Sequence, residues 1–322
     1  MLTTEQKSAI NENAEVKTFR KLELKQHGRA YKLLNSALKN PYVLIAPAEI
    51  IALGTTVTAL IFCIYMSFMK WDLITGEQKF VGLYNYKYIF TDELFLTALA
   101  NTMVFMVVSV FVGLVLKVLI GVFLNKDKPV HNMVQTIMFT PYIIATVAIA
   151  TIFKYMMQPT GGVFNQILSF LHLPTSQWYM GQSSALMSLA FITIWQSMGY
   201  GVLIVISGLK AIPNHVYEAA RLDKASRLKT FTHITLPLLS PTMFFLLVTT
   251  SVGAFTTFDI VAMMTNGGPG NSTYMLAYYV YMQGIRFMHY GRAMAASVVL
   301  LIITSTLSAI NFALAGKKVH YQ

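Results

Sequence analysis

Charged residues are scarce in this 322-residue chain, where Asp, Glu, Lys and Arg together make up 11% of the sequence, against about 25% in soluble globular domains. Hydrophobic residues make up 55%, so there is too little polar surface to cover a water-soluble globule. The same figures exclude an intrinsically disordered chain. A single cysteine, Cys63, excludes a disulfide scaffold, and its place in an apolar run says nothing about the redox compartment.

Six long apolar runs are present, and each reaches the roughly 20 residues that a helix needs to cross a bilayer. Several exceed this minimum, which indicates tilted helices or helix ends that protrude from the membrane. The predicted cores of the spans are residues 42–69, 96–124, 133–157, 184–209, 238–264 and 293–315. We therefore expect an all-α integral membrane protein, with a transmembrane domain over 42–315 between a basic segment at 1–41 and a tail at 316–322.

The chain carries 24 Lys and Arg residues against 13 Asp and Glu residues, a net charge of +11. The basic residues cluster in loops between the apolar runs and form no stripe with interleaved aromatics, which argues against nucleic-acid binding. Seventeen of them fall on one predicted side of the membrane and five on the other. Because Lys and Arg are retained on the cytoplasmic side, both termini are predicted to be cytoplasmic.

The first 41 residues are polar and contain no apolar signal-peptide core, so the first span is expected to stay in the mature protein. Residues 30–39 place their alanines and leucines on one helical face. This pattern is typical of a short helix that lies on the inner membrane surface and contacts lipid. A loosely ordered basic tail is the alternative, and it is the expectation for residues 1–20.

Motifs for catalysis are missing from the sequence. It has no Gly-x-x-x-x-Gly-Lys-Ser/Thr phosphate loop, so we do not expect it to bind ATP through a Walker motif. It has no His-Glu-x-x-His motif, cysteine pair or histidine cluster for a metal, and no paired carboxylates within a span. We therefore expect a transport subunit rather than an enzyme. A stand-alone secondary transporter or channel is the competing class, although inverted repeats and coupling-ion ligands in broken helices are not evident.

The longest and most basic cytoplasmic loop is predicted over residues 212–237, between the fourth and fifth spans. It has the pattern of two short helices, because Pro213 suits a helix start and Ser226 can cap a second helix, which is expected to end before Pro237. Glu218 and the two alanines after it would form a narrow ridge with a polar tip, able to enter a groove on another protein and meet a cation. Helices that simply lie on anionic lipid are the alternative.

The order of residues in this loop resembles the EAA loop of ATP-binding-cassette (ABC) importer permeases. The residues that carry the resemblance are Glu218, Ala219 and Ala220, followed by Asp223, Ala225, Phe231, Ile234, Leu236 and Pro237. Lys224 departs from the pattern, because the family usually has glycine after the aspartate. We expect residues 218–225 to be helical, where lysine costs about 0.5 to 1 kcal/mol less than glycine, but Lys224 could also widen the turn and weaken or re-register the docking.

Further stretches, in order along the chain, resemble the carbohydrate branch of these permeases, and the likeness runs from about Pro41 to the C-terminus. They are Trp-Asp-Leu at 71–73, Phe-Val-Gly-Leu-Tyr-Asn-Tyr at 80–86, Phe-Thr-Pro-Tyr at 139–142, Ile-Trp-Gln-Ser-Met-Gly at 194–199, Gly-Leu-Lys-Ala-Ile-Pro at 208–213, and Phe-Asp at 258–259 leading to Asn-Gly-Gly-Pro-Gly-Asn-Ser-Thr at 266–273. The chain is thus similar to the maltose-type importers.

The resemblance implies the type I ABC importer permease fold and a multi-pass subunit of a bacterial inner membrane that imports a sugar or oligosaccharide. It also implies a second, related permease that is usually a different chain, two ATPase subunits that bind ATP and Mg, and an extracytoplasmic substrate-binding protein. No cofactor is expected in this chain itself. The residues implied to couple it to the ATPase are Glu218, Ala219, Ala220, Asp223, Lys224 and Ala225. Glu218 is expected to pair with an arginine of the ATPase.

Polar or aromatic residues at mid-membrane depth are the first candidates for contacts with a sugar. Trp195, Gln196 and Tyr200 fit that description in the fourth span, with packing and a hydrogen bond across helices as the alternative. Lys117 lies about seven residues from the inner end of the second span. It can snorkel to the cytoplasmic surface, or it can face a water-filled cavity and favour an anionic sugar such as a uronate oligomer.

Asp259 is predicted near the outer end of the fifth span, where it can gate that end, form an ion pair or act as a solvated cap. The basic residues expected as its partners are Lys154, Arg286 and Arg292. Gly199 and Gly201 are predicted to allow close approach of helices.

Overall fold

The structure, a computed structural model, describes residues 40–71 and 75–318, with side chains up to Ala313. The predicted surface helix at 30–39 and residues 319–322 of the predicted tail lie outside the described residues. The chain divides into two compact units, the first ending at Phe62 and the second beginning at Cys63. The described part of the first unit is helical from Pro41 onward and includes Pro47 within the helix.

Helices account for most of the described chain. In order they are α1 (Pro41–Ser67), α2 (Tyr84–Thr91), α3 (Glu93–Leu124), α4 (Pro129–Ile143), α5 (Thr146–Met156), α6 (Val163–Phe170), α7 (Ala185–Lys210), α8 (Asn214–Leu222), α9 (Arg227–Thr230), α10 (Leu236–Leu238), α11 (Ser240–Phe255), α12 (Asp259–Met264), α13 (Leu276–Tyr281) and α14 (Tyr290–Lys318). A 3-10 turn covers Trp178–Met180, and π-helical turns cover Phe231–Thr235 and Met282–Arg286.

A short hairpin, which the sequence did not predict, joins α1 to α2. Its antiparallel strands are β1 (Met69–Trp71) and β2 (Gln78–Phe80), paired so that Lys70 lies opposite Lys79. Asn85 of α2 holds the hairpin to the end of α1, because its side-chain amide donates to the backbone oxygens of Ser67 at 2.8 Å and Met69 at 2.9 Å.

Four helices are long and apolar enough to cross a membrane: α1, α3, α7 and the Tyr290–Ala313 part of α14. Two bent pairs add further candidates, α4 with α5 at an angle of 100° and Arg227–Leu238 with α11 at 64°. The described residues therefore provide four spans, or up to six if each bent pair is one span. The fold is all-helical apart from the hairpin.

The third and fifth spans are not the continuous helices that the sequence predicted. The third is interrupted at Ile144 and Ala145, where the backbone is extended, shortly after Pro141. The fifth stops at Phe255, and a separate helix, α12, begins only at Asp259. A broken helix leaves backbone groups without partners, which is tolerated at membrane depth only where other protein groups satisfy them.

The long helices pack through two main clusters of buried apolar side chains. The larger cluster includes Phe105 of α3, Ile192 of α7 and Phe255 of α11. The other lies toward the end of the bundle at which α3 and α7 finish, and it includes Val118 of α3 and Leu209 of α7. Because α3 packs on both α7 and α11, these three helices form the framework for the site described below.

The loops at the opposite end of the bundle are held by two polar side chains, the half-buried Asp92 and the buried Asn165. Asp92 caps α3, since its Oδ1 accepts from the amide of Leu94 at 3.0 Å, and its Oδ2 accepts from the Tyr279 hydroxyl at 2.7 Å. Asn165 fills all its hydrogen-bonding capacity: its amide donates to the oxygens of Pro159 and Ser176, and its Oδ1 accepts from the Ser176 amide and the Trp178 indole. Satisfied buried networks of this kind rigidify a loop.

Candidate functional site

Residues 212–237, called the coupling loop from here on, begin with α8, which ends in a Schellman motif. The amide of Ala225 donates to the oxygen of Ala220, and the amide of Lys224 donates to the oxygen of Arg221, both at 3.0 Å. The motif holds Lys224 at a φ of 52°, in the left-handed region. The predicted helix over 218–225 therefore stops at Leu222, and Lys224 occupies the position that usually takes glycine because a side chain costs about 1 to 2 kcal/mol there.

The second half of the coupling loop begins as predicted, with Ser226 as the cap of α9. Its Oγ accepts from the amide of Lys229 at 3.3 Å. The expected end before Pro237 is wrong, because the chain continues through the π-helical turn Phe231–Thr235 into α10, which contains this proline. The wider turn directly before the proline makes room for its ring and rearranges the hydrogen bonds that the missing N–H interrupts.

Both halves of the coupling loop are anchored to the membrane helices. Ile212 is 5% exposed and belongs to the same buried cluster as Leu209 of α7. Tyr217 from the first half and Phe231 from the second pack against this cluster. The Tyr217 hydroxyl also lies 3.3 Å from the hydroxyl of Thr235. Because close-packed groups transmit displacements, a force on the coupling loop reaches α3, α7 and α11.

The outward face of the coupling loop has no partner among the described residues. Glu218 and Ala219 are exposed, whereas Ala220 is buried on the inner side of α8. The Glu218 carboxylate takes part in none of the hydrogen bonds or ion pairs of the described residues. Leu222 is 84% exposed and Leu228 is 73% exposed. The remaining predicted coupling residues are exposed or half-buried, namely Asp223, Lys224 and Ala225. An acidic tip flanked by exposed leucines is typical of a protein-binding surface.

A cavity of about 440 Å³ lies among α3, α7 and α11, with one contribution from α4. Its volume falls within the range of small-molecule sites, about 300 to 1,000 Å³. The polar or aromatic residues that line it are Phe105, Ser109, Lys117, Tyr142, Thr193, Ser197, Tyr200, Thr249 and Thr250. Hydroxyl groups and aromatic rings together can replace the water around a sugar and stack against its apolar face.

Lys117 and Tyr200 are the two predicted substrate-path residues that the structure brings together in this cavity. The Tyr200 ring is stacked on the ring of Tyr142, with centroids 4.6 Å apart and an interplanar angle of 12°. The Lys117 stem lies along Gly201, where an added Cβ would stand 2.4 Å from Lys117 Cδ. Gly201 thus leaves space for the Lys117 side chain, whereas the sequence predicted that Gly201 would allow two helices to approach closely.

The Lys117 ammonium points back along its own helix. Its Nζ lies 3.9 Å from the place that a Cβ on Gly113 would occupy, one turn toward the Glu93 end of α3. Helical side chains lean in this direction, toward the N-terminus. Snorkelling toward the Leu124 end, one of the two expectations, is therefore not the conformation found, and Lys117 is 3% exposed.

Trp195 and Gln196 lie outside the cavity. The Trp195 ring packs at 5.0 Å from the ring of Phe153 and faces a separate apolar pocket. Gln196 donates from Nε2 to the oxygen of Ile144 and to Oγ1 of Thr146, at 3.3 and 3.2 Å. Gln196 therefore bridges the break between α4 and α5, which is the cross-helix hydrogen bond expected as the alternative to substrate contact. Gln196 thereby gives the backbone oxygen of Ile144, at the break, a hydrogen-bond donor.

Asp259 is exposed as the first residue of α12 and is not a lining residue of the cavity. Among the described residues it forms no ion pair, and Lys154 donates instead to the backbone oxygen of Met263 at 3.1 Å. Arg292 lies over the ring of Tyr88, 3.5 Å from its centroid. The ion pairs predicted for Asp259 are thus not formed.

Sequence reasoning missed most of the hydroxyl groups in the cavity. Ser109, Gly113 and Lys117 recur every four residues on α3, and Thr193, Ser197 and Tyr200 share one face of α7. This helical spacing of small and polar residues within apolar spans was the available signal. Hydrophobicity could not show which face of α3 or α7 lines the cavity, because apolar residues lie on every side of both helices.

The comparisons with known proteins agree with this architecture. Residues 109–318 match the sequence model of a family described as the binding-protein-dependent transport system inner membrane component. YurN of Bacillus subtilis (strain 168), a probable ABC transporter permease protein, is 34% identical over 277 residues, which are 83% of this chain and 93% of YurN. UgpA of Agrobacterium fabrum, an sn-glycerol-3-phosphate transport system permease protein, is 33% identical over 282 residues, covering 87% of this chain and 96% of UgpA.

Solved structures show the same fold. A chain of a bacterial ABC transporter involved in the import of the acidic polysaccharide alginate has a TM-score of 0.75 at 22% identity, covering 92% of this chain and 99% of that one. The match to an alginate ABC transporter in complex with an alginate pentasaccharide-bound periplasmic protein has a TM-score of 0.73 at 21% identity, covering 90% and 96%. The chain therefore belongs to the family of inner-membrane permease components of binding-protein-dependent ABC transporters.

Proposed function

We propose that this chain is one permease subunit of an importer for a sugar or oligosaccharide, driven through the coupling loop by a separate ATPase. The observation that carries the proposal is the exposed, unpartnered Glu218 on a loop that is packed into the helices lining the cavity; the predicted ridge is reduced to Glu218 and Ala219, because Ala220 is buried. The hydroxyl and aromatic lining of the cavity supports a carbohydrate substrate. The structural neighbour that imports alginate, an acidic polysaccharide, also supports it, and the relative UgpA serves the transport of a smaller polyol phosphate, sn-glycerol-3-phosphate.

The complete transporter would contain a second, related permease subunit, two ATPase subunits and an extracytoplasmic binding protein. ATP and Mg would be bound by the ATPase subunits. Both termini and the coupling loop would face the cytoplasm, because seventeen of the Lys and Arg residues fall on that side. A stand-alone carrier, the competing class, gains no support from the family to which the chain belongs.

The packing of the coupling loop supports a mechanism. Closure of the ATPase subunits on ATP would draw the coupling loop toward its counterpart in the second permease. Tyr217 and Phe231 would pass this displacement to the end of α7, and the cavity residue Tyr200 lies nine residues before Leu209, about 14 Å along the helix. α7 is continuous between these points, so the cavity wall moves with the loop. The strength of this coupling equals the difference between the free energies with which the ATPase subunits bind the two conformations of the permease, before and after the loop moves.

Replacement of Glu218 tests this proposal in the assembled transporter. Loss of one partner of a desolvated charge pair costs on the order of 3 kcal/mol, so Glu218→Ala is expected to weaken ATPase docking by roughly 100-fold and to abolish substrate-stimulated ATP hydrolysis. Glu77→Ala is the matched control, since Glu77 is an exposed carboxylate of the hairpin that pairs with Lys79 at 3.2 Å, and exposed pairs contribute little. Normal stimulated hydrolysis in an assembled Glu218→Ala transporter would contradict the proposal.

A further inference from the structure

Lys117 is a buried cation without a partner among the described residues. It is 3% exposed, and the ion pairs found are Lys79 with Glu77 and Lys210 with Asp127. None of the hydrogen bonds of the described residues involves its Nζ. A buried charge is strongly unfavourable unless it is paired, so this position calls for an anion.

Among the described residues, no carboxylate is placed to supply that anion. Within the described membrane helices of the second unit, the nearest acidic residues along α3 are Glu93 at its start and Asp127 beyond its end. α7 and α11, which form the other walls of the cavity, contain no Asp or Glu. The described residues therefore leave the anion to be supplied by another molecule.

The surroundings of the ammonium form a built site for a polar ligand. Ser109 lies two turns from Lys117 on the same face of α3, and its buried Oγ has no hydrogen-bond partner among the described residues. Thr193 and Ser197 of α7 line the same cavity. An unpaired cation and an unpaired hydroxyl group in one cavity are two independent signs that a ligand completes it.

The side chain of Lys117 is held in place for this task. Gly201 leaves space for its stem, and Gly113 leaves space beside its Nζ. With a side chain at Gly201, the stem would be displaced, because the added Cβ would lie 2.4 to 2.8 Å from three carbons of the lysine. The ammonium is thus directed into the cavity by the shape of α7 rather than by a hydrogen bond.

We propose that Lys117 binds an anionic group of the transported substrate, a carboxylate or a phosphate, inside the cavity. The inference rests on the proposed import function and adds the substrate class to it. The ammonium would donate to the anionic oxygens, Ser109 would donate its free hydroxyl, and the stacked Tyr142 and Tyr200 rings would contact the apolar face of the sugar.

Binding to the purified transporter, complete with its second permease and ATPase but without the binding protein, tests the proposal. The probes are a mannuronate trisaccharide against the mannose trisaccharide of the same linkage, and glycerol 3-phosphate against glycerol, so that a carboxylate and a phosphate are distinguished. The wild type is expected to prefer at least one anionic probe, and Lys117→Met to lose that preference about tenfold or more, the size of one charge-assisted hydrogen bond. Lys117→Arg is expected to retain most of it.

Lys154→Met is the matched control, because Lys154 bonds to a backbone oxygen of α12 and does not line the cavity. It should keep the wild-type preference for the anionic probe. A wild type that binds neither anionic probe better than its neutral counterpart, or a Lys117→Met variant with an unchanged preference, would overturn the proposal. ATP-dependent uptake of a neutral sugar by the wild-type transporter supplied with its binding protein would leave the proposed import function standing, whereas absence of any sugar uptake in the presence of that protein would count against the function.

Thermal unfolding of the empty transporter separates a ligand site from a structural one. Since an unpaired buried charge destabilises the protein, Lys117→Met should unfold at a higher temperature than the wild type in the absence of ligand. A lower unfolding temperature together with impaired assembly would show that an acidic residue of the second permease neutralises Lys117, and would overturn the proposal.

Discussion

Replacement of Gly199 by alanine should separate two of the helices that build the cavity. Gly199 lies where α7 meets α4, and an added Cβ would stand 2.0 Å from the oxygen and 2.3 Å from the carbonyl carbon of Met138. Both atoms belong to the backbone, so no side chain can rotate out of the way. The two helices would have to move apart, and the Tyr142–Tyr200 stack that spans them would open.

The magnitude follows from two opposing terms. Overpacking of this kind costs about 1 to 3 kcal/mol, while alanine in place of glycine within a helix returns about 0.5 to 1 kcal/mol. A net destabilisation of about 1 kcal/mol is expected, or a fall of about 3 °C in the unfolding midpoint. Gly253→Ala is the matched control, because no described atom lies within 4 Å of its added Cβ, and its midpoint should stay level or rise.

The assay is size-exclusion chromatography of the detergent-solubilised transporter after heating, with a fluorescent protein fused to this chain. The fraction that remains monodisperse gives the midpoint for each variant. A Gly199→Ala midpoint equal to that of the wild type would refute the close approach of α4 and α7. An equal fall in both variants would show that the effect is not specific to this contact.

Three further substitutions test individual features. Lys224→Gly relieves the cost of a side chain in the left-handed region, about 1 to 2 kcal/mol, but adds the entropy cost of ordering glycine, about 0.5 to 1 kcal/mol, so it should stabilise the end of α8 by about 0.5 kcal/mol. Slower hydrogen exchange of the α8 amides in the transporter would show this gain, and faster exchange would contradict the Schellman motif. Asn165→Ala removes four hydrogen bonds and should lower the local stability of this loop by about 3 kcal/mol. Amide hydrogen exchange around Ser176 should become faster, and unchanged exchange would argue against the network. Tyr279→Phe removes the bond to Asp92 and should cost about 2 kcal/mol, so an unaltered unfolding midpoint would disprove its contribution.

Local signals in the sequence located the coupling loop and the start of α9 but did not show where its helices end. The cap at Ser226 is a property of neighbouring residues, and the resemblance of Glu218, Ala219 and Ala220 to a known motif marked α8 as the helix for which we propose docking. Lys224 was assigned to the helix because its propensity there is favourable. The Schellman motif depends on hydrogen bonds that form only once the helix has ended, so propensity could not indicate it.

Tertiary contacts decided what the sequence could not predict. The break in the third span is stabilised by Gln196 from α7, a residue about fifty positions further along the chain. The direction of Lys117 depends on the empty space at Gly201. Neither contact has a local signature, because each joins two helices whose relative rotation is fixed only by packing.

Cross-linking from the coupling loop tests the central claim most directly. The native Cys63 is first replaced by serine. A photoactivatable reagent is then attached at Leu222→Cys, the position of the most exposed large apolar side chain of the loop. The control carries the reagent at Thr160→Cys, an exposed position beyond α5. We expect illumination to join Leu222→Cys to the ATPase subunit, with a yield that changes when ATP is added, and to leave Thr160→Cys without an ATPase adduct. Adducts of Leu222→Cys with lipid alone would contradict the claim that this loop receives the work of the ATPase.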